Sequence, residues 1–151
     1  LRRAGVQNVE RHLVAPGDKW AKRRGGTFDR VLVDAPCTGT GTWRRNPDAR
    51  GRLRELDLAE LVPKQAHILD DAARLVRPGG RLIYATCSIF IEENEAQVDA
   101  FLARQPGFQV VPLDQAWTLP AAVPCAGPYL SLTPLRHGTD GFFGAVLERT
   151  A

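Results

Sequence analysis

Two cysteines and one carboxylate have the types and spacing to do chemistry. Cys37 follows Asp34, Ala35 and Pro36 in the stretch DAPCTGTG, and Cys87 sits in YATCS, fifty residues further on. A thiolate is both a nucleophile and a metal ligand, so two thiols beside a carboxylate suit either use. The metal reading is weak, because Cys37, Cys87 and the third cysteine, Cys125, lack the paired spacing of metal sites, and none is expected. The plain alternative is three small buried hydrophobes, where most free cysteines sit.

The elements around these residues decide whether they can meet. Val31, Leu32 and Val33 form a short apolar run between charges, the pattern of a strand buried on both faces of a parallel sheet, and it ends at Asp34. From Asp57 to Val76 apolar residues recur near a helical period. Asp57 reads as the cap, although Pro63 fits best in a first turn and moves the expected start towards Leu61. The helix is expected to end at Arg77, where Pro78, Gly79 and Gly80 punctuate it, and Arg81–Thr86 reads as a second buried strand. Strand, helix and strand make a right-handed crossover, so the strands run parallel with their carboxyl ends on one edge. Cys37 and Cys87 leave those ends and should lie near each other.

The remaining chain fits around this unit. Leu1–Ala4 reads as the last turn of a helix ended by Gly5, and Val9–Val14 as a strand closed by Pro16 and Gly17. A basic connection follows, from Gly17 to Thr27. Beyond Cys87, Ile91–Arg104 has helical spacing with acidic residues in its first turn, and Phe108–Leu113 reads as a strand. Asp114–Pro128 is a proline-rich loop, and Phe142–Arg149 a final strand after the turn HGTDG. The last two strands are joined without a clear helix, which predicts an antiparallel ending to an otherwise parallel α/β sheet.

Composition sets the class. The 151 residues are 44% hydrophobic and 25% charged, enough for one packed domain. No stretch approaches the roughly 20 apolar residues of a membrane span, and the odd, widely spaced cysteines suggest reduced thiols, so a cytoplasmic protein is expected. The net charge of +3 hides an asymmetry: residues 1–54 hold 13 Lys or Arg against 5 Asp or Glu, and the rest hold 7 against 12. Clusters at Arg2 and Arg3, Lys22–Arg24, Arg44 and Arg45, and Arg50, Arg52 and Arg54 suit phosphates, or are simply solvated faces.

DAPCTGTGTWRRNPD, a helix ending in RPGG, YATCSIFIEEN and a terminal DGFF before a strand resemble the RNA cytosine-5 methyltransferases of the ribosomal RNA type, the RsmB/NOP2/Sun or Fmu family, from about Gly5 onwards. The resemblance implies a class I, Rossmann-like methyltransferase sheet, S-adenosylmethionine as methyl donor, and cytosine in RNA, most naturally rRNA, as acceptor. Carbon 5 of cytosine is a poor nucleophile, so a thiolate must first add to carbon 6. The residues alone do not rank the thiols, and the DNA cytosine enzymes, which use a Pro-Cys thiol, favour Cys37. By resemblance Cys87 is the nucleophile and Cys37 assists its release. Asp34 would lie between donor and base, with Pro36 beside it, and Asp18 would contact the donor's adenine. Arg44, Arg45 and Asn46 would order the loop or hold RNA phosphate.

The glycine-rich turn that cradles the donor in such enzymes is expected upstream of Leu1. The chain therefore reads as the C-terminal portion of one catalytic domain, a truncated sheet inactive by itself, open at the Asp34 strand and prone to self-association there. Two rivals remain: a non-catalytic RNA-binding module, and an exocyclic-amine methyltransferase, which two thiols do not favour. Among weaker candidates, Glu92, Glu93 and Asn94 could position the TCS loop, although acidic residues suit any helix start. His137 and Asp140 read as structural, His12 and His67 lack partners in sequence, and Cys125 reads as incidental.

Overall fold

A computed structural model describes residues 3, 5–13 and 19–150. The apolar run 31–33 lies in strand β1, Phe28–Asp34, which pairs in parallel with β2, Val76–Thr86, setting Val33 opposite Tyr84 and Asp34 opposite Ala85. Strand β5, Phe142–Arg149, runs antiparallel along the other side of β2, with Leu147 opposite Leu82 and Ala145 opposite Tyr84. Strand β3, Phe108–Val111, pairs antiparallel with β5 and completes the order β1-β2-β5-β3, and the short β4, Leu130–Leu132, pairs with the start of β5. Strands β1, β2 and β3 thus share one direction and β5 opposes them, as the antiparallel ending requires.

Two short helices, α1, Trp20–Arg23, and α2, Asp48–Arg52, come before α3, Glu55–Ala73, the crossover helix between β1 and β2. Leu69, Ala72 and Ala73 of α3 pack into one core with Val33, Leu82, Tyr84 and Leu147 of the sheet and with Val98 and Phe101 of helix α4, Glu95–Arg104. β5 buries every second residue, Phe143, Ala145 and Leu147, which is the period of a strand with one face on the core. Fully burying a side chain such as Leu69 contributes about 2 kcal/mol.

Several elements differ from the sequence expectations. α3 begins at Glu55 rather than near Leu61, and the Asp57 carboxylate accepts from the Arg54 N–H at 2.9 Å in the first turn. Pro63 sits inside the helix at an exposed position, and Ala59, whose carbonyl it cannot serve, is exposed as well. α3 ends at Ala73, not Arg77, because 77–80 belong to β2 as an irregularity: β2 spends Val76 to Arg81 where β1 spends Phe28 to Arg30. Gly79 there has φ +70°, and Arg77 pairs with Asp29 at 2.6 Å across the distortion.

The helix expected over 91–104 is broken at Asn94: Ile91–Glu93 is a 3-10 turn and α4 starts after it. β3 stops at Val111, and a helical turn, α5, Leu113–Ala116, replaces the end of the expected strand. Of the strand expected over 9–14, residues 9–13 are irregular, and Val14 lies outside the described residues, as do Leu1, Arg2 and Ala4 of the expected first turn. β1 is half-covered rather than buried on both faces. Its only strand neighbour among the described residues is β2, and Leu32 is 67% exposed.

Candidate active site

The parallel register of β1 and β2 carries two loops away from the sheet side by side. The Ala35 N–H still bonds the Ala85 carbonyl at 3.0 Å, after which both chains turn out of the sheet. Cys37 and Cys87 then meet, with their sulfurs 3.3 Å apart, half-buried and not joined in a disulfide. Asp34 is exposed at the end of β1, opposite Ala85 and so two residues before Cys87 in the register. Pro36 is exposed, Asp18 lies outside the described residues, and Cys125 faces Tyr129 and Ser131 instead of the other thiols. No group of metal-binding side chains occurs among the described residues.

Hydroxyls and glycines stitch the two loops together. The Gly41 N–H donates to the Cys87 carbonyl at 2.9 Å, the Ile89 N–H to Thr40 Oγ1 at 3.0 Å, and the Thr40 and Ser88 hydroxyls lie 3.1 Å apart. The Gly141 N–H bonds the Gly41 carbonyl at 2.8 Å, which brings in the turn before β5. A Cβ on Gly41 would stand 2.3 Å from the Gly141 carbonyl oxygen and 2.8 Å from that of Cys87, so only glycine admits this three-way backbone contact. Arg45 is ion-paired with Asp140 of the same turn. Asp140 thus holds the loop, the structural role expected of it, and the Thr133 N–H bonds His137 Nδ1 at 3.0 Å across α6, Pro134–His137. His67 pairs with Asp71 and His12 stacks on Trp20.

A second layer of side chains lies beneath. Glu93, fully buried, accepts from the Thr38 N–H at 2.9 Å, the Thr38 hydroxyl at 2.5 Å and Gln65 Nε2 at 2.9 Å. Gln65 also donates to the Pro36 carbonyl at 2.9 Å. Asn94 accepts from Thr86 Oγ1 at 2.6 Å and donates to the Ser88 carbonyl at 3.0 Å, which is why the helix breaks there. Gln65 and Thr38 were not singled out from sequence. Gln65 had a signal, a lone amide in helical register with Leu61 and Leu69 on an apolar stripe.

The two sulfurs are not equivalent. Burial, and then the hydrogen bond with Cys87, push the Cys37 thiol up from 9.0 to about 12. Cys37 therefore keeps its proton at neutral pH, and either sulfur can donate in the contact between them. The Asp140 hydrogen bond and charge raise Arg45 above its ordinary value, with a smaller contribution from Cys87, so this guanidinium sits within electrostatic reach of that sulfur. Arg44 and Asn46 are exposed beside it. A cavity of about 320 Å³ opens next to Cys37, lined by Thr38, Arg52, Leu53, Asp57 and Leu61.

A family model described as 16S rRNA methyltransferase RsmB/F matches residues 1–148. A putative methyltransferase of Mycobacterium tuberculosis is 46% identical over 127 residues, covering 81% of this chain and 26% of its own length. The ribosomal RNA small subunit methyltransferase B of Vibrio cholerae is 42% identical over 126 residues, covering 83% of this chain and 27% of its own. The chain thus spans about a quarter of the curated relatives it matches. The crystal structure of NSun6 from Pyrococcus horikoshii with SFG is 26% identical, with a TM-score of 0.79, over 99% of this chain and 37% of the other. The sheet is of the class I, Rossmann-like methyltransferase type. With the match running through both thiol loops and all five strands, the chain belongs to the 16S rRNA methyltransferase RsmB/F family.

Proposed function

We propose that this chain carries the paired-thiol part of an RNA cytosine-5 methyltransferase acting on rRNA. The observation that carries the reading is the 3.3 Å approach of Cys37 and Cys87 at the ends of adjacent parallel strands. Cys87 is the nucleophile: its thiolate adds to carbon 6 of cytosine, and the electron pair of the 5,6 double bond moves to carbon 5. Asp34, exposed at the strand end, bonds the cytosine edge as the ring gains electrons. S-adenosylmethionine, when bound, supplies an electrophilic methyl group. Asp34 and Pro36 fit its cationic methionine end, since an exposed carboxylate at the end of β1 suits a positive charge, and Asp18 is assigned to its adenine. A solved neighbour bound to SFG, an analogue of this donor, supports the choice of donor.

After transfer, loss of the carbon 5 proton to solvent re-forms the double bond and expels the Cys87 thiolate. Cys37, held as the neutral thiol, hydrogen-bonds the departing sulfur and eases its release. Arg44, Arg45 and Asn46 present a basic edge to RNA phosphate.

The test uses the longer protein that contains this chain, incubated with the methyl donor and 5-fluorocytosine RNA. A covalent protein–RNA adduct is expected, abolished in Cys87→Ala. In Cys37→Ala an adduct should accumulate even with ordinary cytosine RNA. Exchanged phenotypes reverse the thiol roles, and the absence of any adduct with wild type leaves RNA binding without turnover.

A further inference from the structure

Glu93 is a fully buried carboxylate that the chemistry above leaves unused. It belongs to the Cys87 loop, where the Tyr84 hydroxyl donates to its carbonyl at 2.7 Å and the adjoining Asn94 is tied to Thr86 and Ser88. Its side chain, however, reaches the other loop. One oxygen accepts the Thr38 N–H and Gln65 Nε2, and the second accepts the Thr38 hydroxyl. Gln65, also fully buried, uses the same Nε2 to hold the Pro36 carbonyl, while Gln97 Nε2 donates to Gln65 Oε1 at 3.3 Å. Thr38 is thereby gripped directly from the loop that carries Cys87, and Pro36 by Gln65 of α3, which Glu93 holds in turn.

Stability alone does not call for this arrangement. Burying a carboxylate costs several kcal/mol before its hydrogen bonds offset the loss, and apolar side chains of similar volume often stabilise a core as well or better. What apolar residues lack is direction. A carboxylate with three convergent donors fixes the relative position of two loops to within hydrogen-bond tolerance.

We propose that Glu93 is a positioning residue which, together with Gln65, grips both flanks of Cys37 and fixes its sulfur against that of Cys87. The proposal rests on the paired-thiol reading of the site, and it predicts that loosening Glu93 separates the sulfurs without unfolding the sheet.

Cross-linking of the two thiols by diamide tests this on the chain itself, with Cys125→Ser in the background. The azo reagent accepts two hydrogens and is reduced to the hydrazide while one S–S bond forms, so the product is read as the loss of two hydrogens by mass spectrometry. Glu93→Gln and Thr38→Val should each slow cross-linking about tenfold, the worth of about one buried hydrogen bond. Thr38→Ser, which keeps the hydroxyl, should restore the rate. Removing the negative charge of Glu93 favours ionised thiols and would by itself hasten the reaction, so a slower rate reports geometry.

Circular dichroism checks the fold of each variant, and Thr38→Val, at a half-buried position, carries the test where Glu93→Gln does not fold. Folded variants that cross-link at the wild-type rate overturn the proposal. So does unfolding of both, which makes Glu93 a structural anchor. In the longer protein Glu93→Gln should lower kcat for RNA methylation and leave the KM for RNA unchanged. If wild type fails to methylate cytosine, the function proposed above fails while the cross-linking result stands.

Discussion

At Cys37 the rise from 9.0 to about 12 has a consequence that can be read with a thiol reagent. At pH 8 the ionised fraction of such a thiol is about a thousandfold below that of an ordinary one, and alkylation proceeds through the thiolate. Iodoacetamide at pH 8 should therefore modify Cys37 about a thousandfold more slowly in the folded chain than in the unfolded one. Because the group is raised, its labelling should climb about tenfold per pH unit from 8 to 10, with no plateau in that window. Peptide mapping of the timed reaction checks this, and Cys37 labelled as fast as in the unfolded chain would show that burial does not hold its proton. The meeting of the two thiols was legible in sequence, because strand, helix and strand dictate a shared edge. Their ranking was not, since it depends on burial, which the residue types leave open. Gln65 and Thr38 escaped for the same reason: an amide and a hydroxyl acquire roles only when a buried carboxylate faces them.

Elements show where local pattern suffices and where it does not. β5 was legible to its ends because an apolar run, Phe142–Leu147, follows the turn HGTDG and gives way to Glu148 and Arg149. Val9–Val14, with Val9, Leu13 and Val14 around a polar middle, reads as a strand, yet among the described residues 9–13 pair with no strand, and strand propensity is a statement about a pleated neighbour. RPGG marked a real interruption but was assigned to the helix end instead of the bulge in β2, since proline and glycine punctuate both. The helix over 91–104 was broken by Asn94 side-chain bonds to residues of the Cys87 loop, contacts that helical periodicity does not encode. The most demanding junction is the backbone contact of Gly41 with Cys87 and Gly141. Gly41→Ala should cost about 1–3 kcal/mol in urea unfolding, as overpacking does, because its Cβ has backbone rather than a flexible side chain to displace. An unchanged midpoint would mean that the three segments separate easily.

For the molecule as a whole, the dominant feature is that β1, among the described residues, has a strand partner on one side only. A strand with one partner offers unmet N–H and C=O groups, and exposed Leu32 makes that edge apolar. The chain on its own should self-associate as concentration rises, and Leu32→Lys should shift sedimentation towards the monomer. A wild-type chain that stays monomeric at high concentration would show the edge to be protected. The charge asymmetry read from the sequence persists in the fold: the arginines of residues 44–54 lie mostly exposed beside the thiol loops. No described helix is long and apolar enough to cross a membrane.

The position of β5 also dictates an order of assembly. It follows every other described strand in sequence, yet it lies between β2 and β3, and the glycine turn just ahead of it completes the contact that braces Cys87. Pairings such as Arg81 with Glu148 join residues far apart along the chain, the kind that form slowly during folding. On a growing polypeptide, the two sulfhydryls emerge well before the strand that braces their loops. For that interval they stand on an unfinished sheet, and the loops that carry them are braced only when the last strand takes its place.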